Sequence, residues 1–110
     1  MPPSPATVPD RTWTPSTPTP NFPEYPSNHG CATTAIITVV DALDGSSPFR
    51  FTMTSVNALD RPTKTFTSAE QVIREVGNAR VWGGIHFRFS VQAGTAIGRA
   101  VADRVLHAMR

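Results

Sequence analysis

One cysteine, one lysine and no long apolar run are what this 110-residue chain has least of. The lone Cys31 excludes an internal disulfide and reads as a small buried thiol on a helix. No apolar stretch reaches transmembrane length and no charged-then-apolar leader opens the sequence, so it reads as soluble, or as part of something soluble. Lys64 stands alone among nine arginines, and eight acids leave a net charge of +2. A surplus so small and scattered, without an aromatic-basic ladder or zinc-finger spacing, gives no case for nucleic acid. Arginine's planar fork suits fixed contacts to anions, although coding bias explains its abundance equally well.

Proline is the opposite case. Nine of the eleven prolines fall within the first 26 residues, beside the Ser/Thr-rich run Pro15-Ser-Thr-Pro-Thr-Pro20. Proline lacks an amide donor and restricts the residue before it, so residues 1–21 form an extended arm that composition alone reads as a linker. The folded part is then residues 22–110, with a core drawn from roughly 80 residues, close to the lower limit for a single core.

The fold class predicted for that part is mainly α, with a short β-hairpin. Ala32, Ala35, Ile36, Val39, Val40 and Leu43 recur at helical spacing. Their β-branched neighbours pull toward strand, but Asp44-Gly-Ser-Ser-Pro48 offers a glycine stop and a following proline, which favours helix. Phe49, Phe51 and Met53 alternate with polar residues as a strand does. Residues 57–62 read as a turn, and Thr63 to Phe66 as the returning strand. A second helix is expected from Thr67 or Ser68, with Thr67 and Glu70 at capping-box spacing and Ala69, Val72, Ile73 and Val76 as its apolar stripe. It should end near Gly77-Asn78. A third helix is expected to start at Ser90 as N-cap and to run to the C-terminus, where Gly94, Gly98 and nearby alanines make one side slim enough for close helix packing.

Chemistry concentrates in two segments. In Pro26-Ser-Asn-His29, Ser27 can cap the following helix, leaving the first amides unpaired with the positive end of the dipole behind them. An anion there would meet the Ser27 hydroxyl and the amides near Asn28 and His29, while His29 could exchange a proton near neutral pH. The plainer reading is a serine-capped helix with a surface histidine. The second segment, Asn78-Ala-Arg-Val-Trp-Gly-Gly-Ile-His-Phe-Arg-Phe-Ser90, adds the guanidinium of Arg80 and, after Gly83-Gly84, the imidazole of His86. A metal site on His29, His86 and His107 lacks ligand spacing.

These motifs resemble the vanadium-dependent haloperoxidase and type-2 phosphatidic acid phosphatase superfamily. Its signatures are a lysine followed by Arg-Pro, then Pro-Ser-Gly-His, then Ser-Arg, five residues, His, three residues, Asp. Pro26-Ser-Asn-His29 is similar to the second, with Asn28 for glycine; Asn78-Ala-Arg80 through His86 to Ser90 is similar to the third, with Ser90 for the aspartate. Phe22-Pro-Glu-Tyr25 and Gly83-Gly-Ile-His-Phe-Arg-Phe89 also resemble the flanks of soluble members. The resemblance implies the C-terminal portion of a helical-bundle haloperoxidase or phosphatase domain. It further implies His86 as the group bonding to vanadium, or attacking phosphorus to form a phosphohistidine. His29 is implied as acid/base, and Ser27, Asn28 and Arg80 as ligands to the equatorial oxygens. Vanadate is the implied cofactor in the first case, with hydrogen peroxide and halide as partners; the second case uses a phosphate ester and no cofactor.

The first signature is absent, since Lys64, with Arg61-Pro62 ahead of it, lies between the other two. A lost preorganised donor commonly costs about a hundredfold to a thousandfold in rate. The expectation is therefore a C-terminal segment of a longer enzyme, inactive or weak alone, marginally stable, and completed by an upstream segment. A non-catalytic remnant is the competing reading.

Overall fold

The computed structural model describes residues 6–45, 48–56 and 59–110. Three helices and a two-stranded antiparallel sheet follow in the order α1 (Asn28–Asp44), β1 (Phe51–Thr54), β2 (Thr63–Phe66), α2 (Ala69–Trp82) and α3 (Arg88–Ala108). The mainly α expectation and the hairpin both hold. Ser46 and Ser47 of the expected helix stop, and Asn57 and Ala58 of the expected turn, lie outside the described residues.

Helical periodicity overrides β-propensity in α1, which stops at Gly45 in the left-handed conformation (φ 60°) that glycine adopts without a Cβ clash. The expected apolar face is corrected, however. Ile36 and Leu43 are 65% and 57% exposed, whereas Gly30, Thr34 and Ile37 are buried. The reason lies in α3: a Cβ on Gly94 would collide with the Ser27 carbonyl, and one on Gly98 with the Cys31 carbonyl and, at 2.7 Å, Thr34 Cβ. Backbone contact needs small residues on both helices, so the slim face of α1 turns inward and the larger aliphatics turn out. Cys31, on this helix, is half-buried and free.

The apolar core sits between α1, α2 and the hairpin, where Ile37, Phe49, Phe66, Ala69, Val72 and Ile73 meet and Phe51 packs alongside. Register places Phe51 opposite Phe66, and Thr52–Thr65 and Thr54–Thr63 hydroxyl pairs line the outer face. Lys64 leaves this hairpin to meet Glu75 of α2 at 2.6 Å on an exposed surface, which removes the sole lysine from any site elsewhere.

Helix α2 starts where expected, but its cap pairing differs, and the start of α3 shifts. In α2 the cap is Ser68, whose Oγ accepts from Gln71 N–H, while the Gln71 side chain accepts from Thr67 N–H at 2.8 Å. The reciprocal pairing is displaced by one residue from Thr67 and Glu70. The helix also passes through Gly77, which notches the surface for Val91: an added Cβ would stand 2.8 Å from Val91 Cγ1. Its end comes at Trp82. Helix α3 begins two residues before Ser90, with Phe87 as N-cap and no side-chain cap bond. The Ser90 hydroxyl is used elsewhere.

The proline-rich arm is irregular but docked. Ser16 N–H donates to Gly83 O at 3.2 Å, and a Cβ at Gly84 (φ 75°) would strike the Trp13 ring.

Candidate oxyanion site

Ser27 is buried, extended in backbone, and caps α1 by accepting from Gly30 N–H at 3.2 Å. Its own N–H donates to Ser90 O at 3.0 Å, which ties the second motif to the start of α3. Helix geometry leaves the Asn28 and His29 amides ahead of Gly30 without intrahelical acceptors. Asn28 thus offers a backbone donor whatever its side chain, at the positive end of a 17-residue helix.

Arg80 and His86 are joined through the backbone. Because α2 continues to Trp82, Arg80 sits on its last turn, and its carbonyl accepts from Ile85 N–H at 3.1 Å and His86 N–H at 3.2 Å. The left-handed Gly84 makes that reversal, and Ile85 is buried beneath it. The Gly83-Gly84 turn is therefore the clamp that fixes Arg80 beside His86.

His86 is 5% exposed. Its Nδ1 lies 2.6 Å from the Glu24 carbonyl, and a carbonyl only accepts, so Nδ1 bears a hydrogen and the neutral tautomer keeps its lone pair on Nε2. Among the described residues Nε2 is buried with no hydrogen-bond partner, as are Nε and Nη2 of Arg80. An unpartnered buried polar atom costs about 1–3 kcal/mol, more when charged. Arg80 thus presents two buried N–H donors that call for acceptor atoms, and His86 Nε2 presents a nitrogen able to bind an electron-poor centre.

His29 completes the group. The Phe22 ring lies 6.0 Å, centroid to centroid, from both His29 and His86, and it stacks on His86. Partial desolvation, then repulsion from Arg80 and from His86, holds His29 below its ordinary pKa. Burial lowers Arg80 as well. His107 lies on the last turn of α3, and among the described residues no cluster of three or more His, Cys, Asp or Glu exists.

Sequence reasoning missed Glu24 as a member of this site. Its Oε1 accepts from Phe87 N–H at 2.8 Å, and its Oε2 accepts from the Ser90 hydroxyl at 2.7 Å. Oε1 also stands 3.4 Å from His86 Nδ1. Burial raises the Glu24 pKa, but the bonds from Ser90, Phe87 N–H and His86 together outweigh it and hold the carboxyl below its usual value. The available signal was an acid just before the second motif in a chain whose third motif has no acid.

Comparison with known proteins decides the family. The model of the VCPO second helical-bundle domain matches residues 3–110. The chain belongs to the vanadium-dependent haloperoxidase superfamily. Its fold is similar to the crystal structure of a bacterial vanadium-dependent iodoperoxidase, with a TM-score of 0.78 and 31% identity over 87% of this chain. The overlap is 23% of the iodoperoxidase, so this chain spans about a quarter of that relative's length. No curated protein sequence matches. The residues present fit the oxyanion that such relatives imply: buried guanidinium donors lack acceptors, and a buried imidazole nitrogen holds a free lone pair. No helix among the described residues is long and apolar enough to cross a membrane.

Proposed function

We propose that this chain is the oxyanion-holding portion of a haloperoxidase-type domain, and that it binds vanadate without supporting halide turnover alone. The observation that supports this is the buried trio of unpartnered atoms, Arg80 Nε, Arg80 Nη2 and His86 Nε2. In this reading Arg80, the Asn28 amide and the Ser27 hydroxyl would hold the oxygens of the oxyanion, and His86 Nε2 would bind its central atom. His29, with its depressed pKa, accepts or returns a proton on the opposite side. Vanadate, when bound, supplies the Lewis-acidic centre that activates hydrogen peroxide toward halide. Phosphate presents the same tetrahedral oxygens and acts here as a competitor; the likeness to an iodoperoxidase favours halide over phosphate ester as the family chemistry.

Two observations support incompleteness. Lys64, the sole lysine, is spent on Glu75 at the hairpin. The exposed aliphatic faces Ile36, Val40 and Leu43 on α1, and Ile97, Val101 and Val105 on α3, suit helices of a further segment. That segment would bring the lysine and Arg-Pro donors. The test is peroxide-dependent iodide oxidation with vanadate present. The chain alone is expected to give none, and a co-expressed helical segment bearing the missing donors is expected to restore turnover that His86→Ala abolishes. Turnover by the isolated chain, lost on His86→Ala, would show instead that the site is sufficient.

A further inference from the structure

The third motif ends on Ser90, leaving the buried His86 without the carboxylate that would follow it at that spacing. A carboxylate nevertheless reaches the ring from another part of the chain. We propose that Glu24 is the positioning carboxylate of His86, delivered from the segment before the second motif and locked in place by Ser90. This rests on reading His86 as the residue that would bind the oxyanion.

The geometry is specific. Both Glu24 oxygens are engaged from the start of α3, Oε1 by Phe87 N–H at 2.8 Å and Oε2 by Ser90 Oγ at 2.7 Å. The same residue meets His86 Nδ1 twice, through its carbonyl at 2.6 Å and through Oε1 at 3.4 Å. A mere helix-terminus role would explain the contacts to Phe87 and Ser90, because a carboxylate is favoured beside free N–H groups. It does not explain why the carbonyl and Oε1 both close on one imidazole nitrogen whose ring is otherwise sequestered. The serine also becomes intelligible. An aspartate at position 90 would set a second carboxylate against Glu24, and like charges in contact disfavour ionisation. A hydroxyl at that position donates instead. Glu24 and Ser90 thus form a matched pair, in which the charge has moved to one residue and the lock to the other. An outer partner of this kind fixes the tautomer and ring orientation and raises the basicity of the free nitrogen.

The test uses the full chain with Glu24→Gln, Ser90→Asp and the double variant. The first readout is the ¹⁵N shift of His86 Nδ1 in the unliganded chain, with the backbone amide spectrum as the folding control. The second is affinity for orthovanadate. Glu24→Gln is expected to move the Nδ1 resonance and to weaken orthovanadate binding about tenfold to a hundredfold. Ser90→Asp in the Glu24→Gln background is expected to return both toward the parent, whereas Ser90→Asp alone weakens binding. An unmoved Nδ1 resonance in a folded Glu24→Gln chain overturns the proposal, as does a double variant that recovers neither readout. If the parent itself binds no vanadate, the oxyanion reading fails and the nitrogen shift alone decides the role of Glu24. If Glu24→Gln unfolds the chain, Ser90→Ala removes the lock and keeps the charge; a shifted Nδ1 then supports the proposal and an unshifted one overturns it.

Discussion

Arg80 keeps two guanidinium nitrogens buried and unpartnered at the end of α2, a costly arrangement unless something accepts from them. Lysine would keep the charge and lose the fork. Charge-assisted hydrogen bonds contribute about 1.5–3 kcal/mol, so Arg80→Lys should weaken orthovanadate binding about tenfold to a hundredfold, measured by calorimetry. Binding at parental strength would mean that the fork is not used. His29 gives a pH prediction whose sign follows from linkage. Its folded pKa lies below the unfolded value, so the unfolded chain binds more protons. Stability from this residue is present above the ordinary histidine pKa and is lost as pH falls from there through the depressed value. Denaturant unfolding as a function of pH should show the loss, and His29→Gln should reduce it; an identical profile in the variant would remove His29 as its source. At this scale short motifs singled out Ser27, Asn28, His29, Arg80 and His86 as candidates, and the fold holds Arg80 and His86 together through the Arg80 carbonyl. Glu24 was not singled out, since its contact with His86 spans 62 residues and depends on how the chain folds back.

At the scale of elements, the α1–α3 contact depends on glycine. Gly98 abuts the Cys31 carbonyl and Thr34 on α1, and a backbone carbonyl cannot move aside alone. Alanine in a helix gains up to about 1 kcal/mol over glycine, while overpacking costs about 1–3 kcal/mol. The overlap should win, and Gly98→Ala should lower stability by about 1–2 kcal/mol in denaturant unfolding. A stabilised variant would show that the helices stand further apart than described. The sequence revealed three helices and a hairpin because apolar spacing and cap residues are local signals. It misread the inward face of α1 because that face is chosen by the glycines of α3, which no local pattern records. Gly77 was misread as a stop for the same reason: its purpose is to admit Val91.

The whole molecule is more open than its length requires. A Cα radius of gyration of 16.2 Å exceeds the roughly 13 Å expected of a compact domain this long, and one small cluster forms the apolar core. Exposed aliphatic faces on α1 and α3 fit a chain that spans 23% of the iodoperoxidase it is similar to. Family membership was readable from two motifs, and the absent first motif is the ground for expecting further donors from another segment. What remains is whether the proposed site binds vanadate. Calorimetric titration of the chain with orthovanadate tests this most directly. Saturable one-to-one binding, displaced by phosphate and abolished by His86→Ala, is the predicted result; a flat titration, or binding indifferent to His86→Ala, would contradict it.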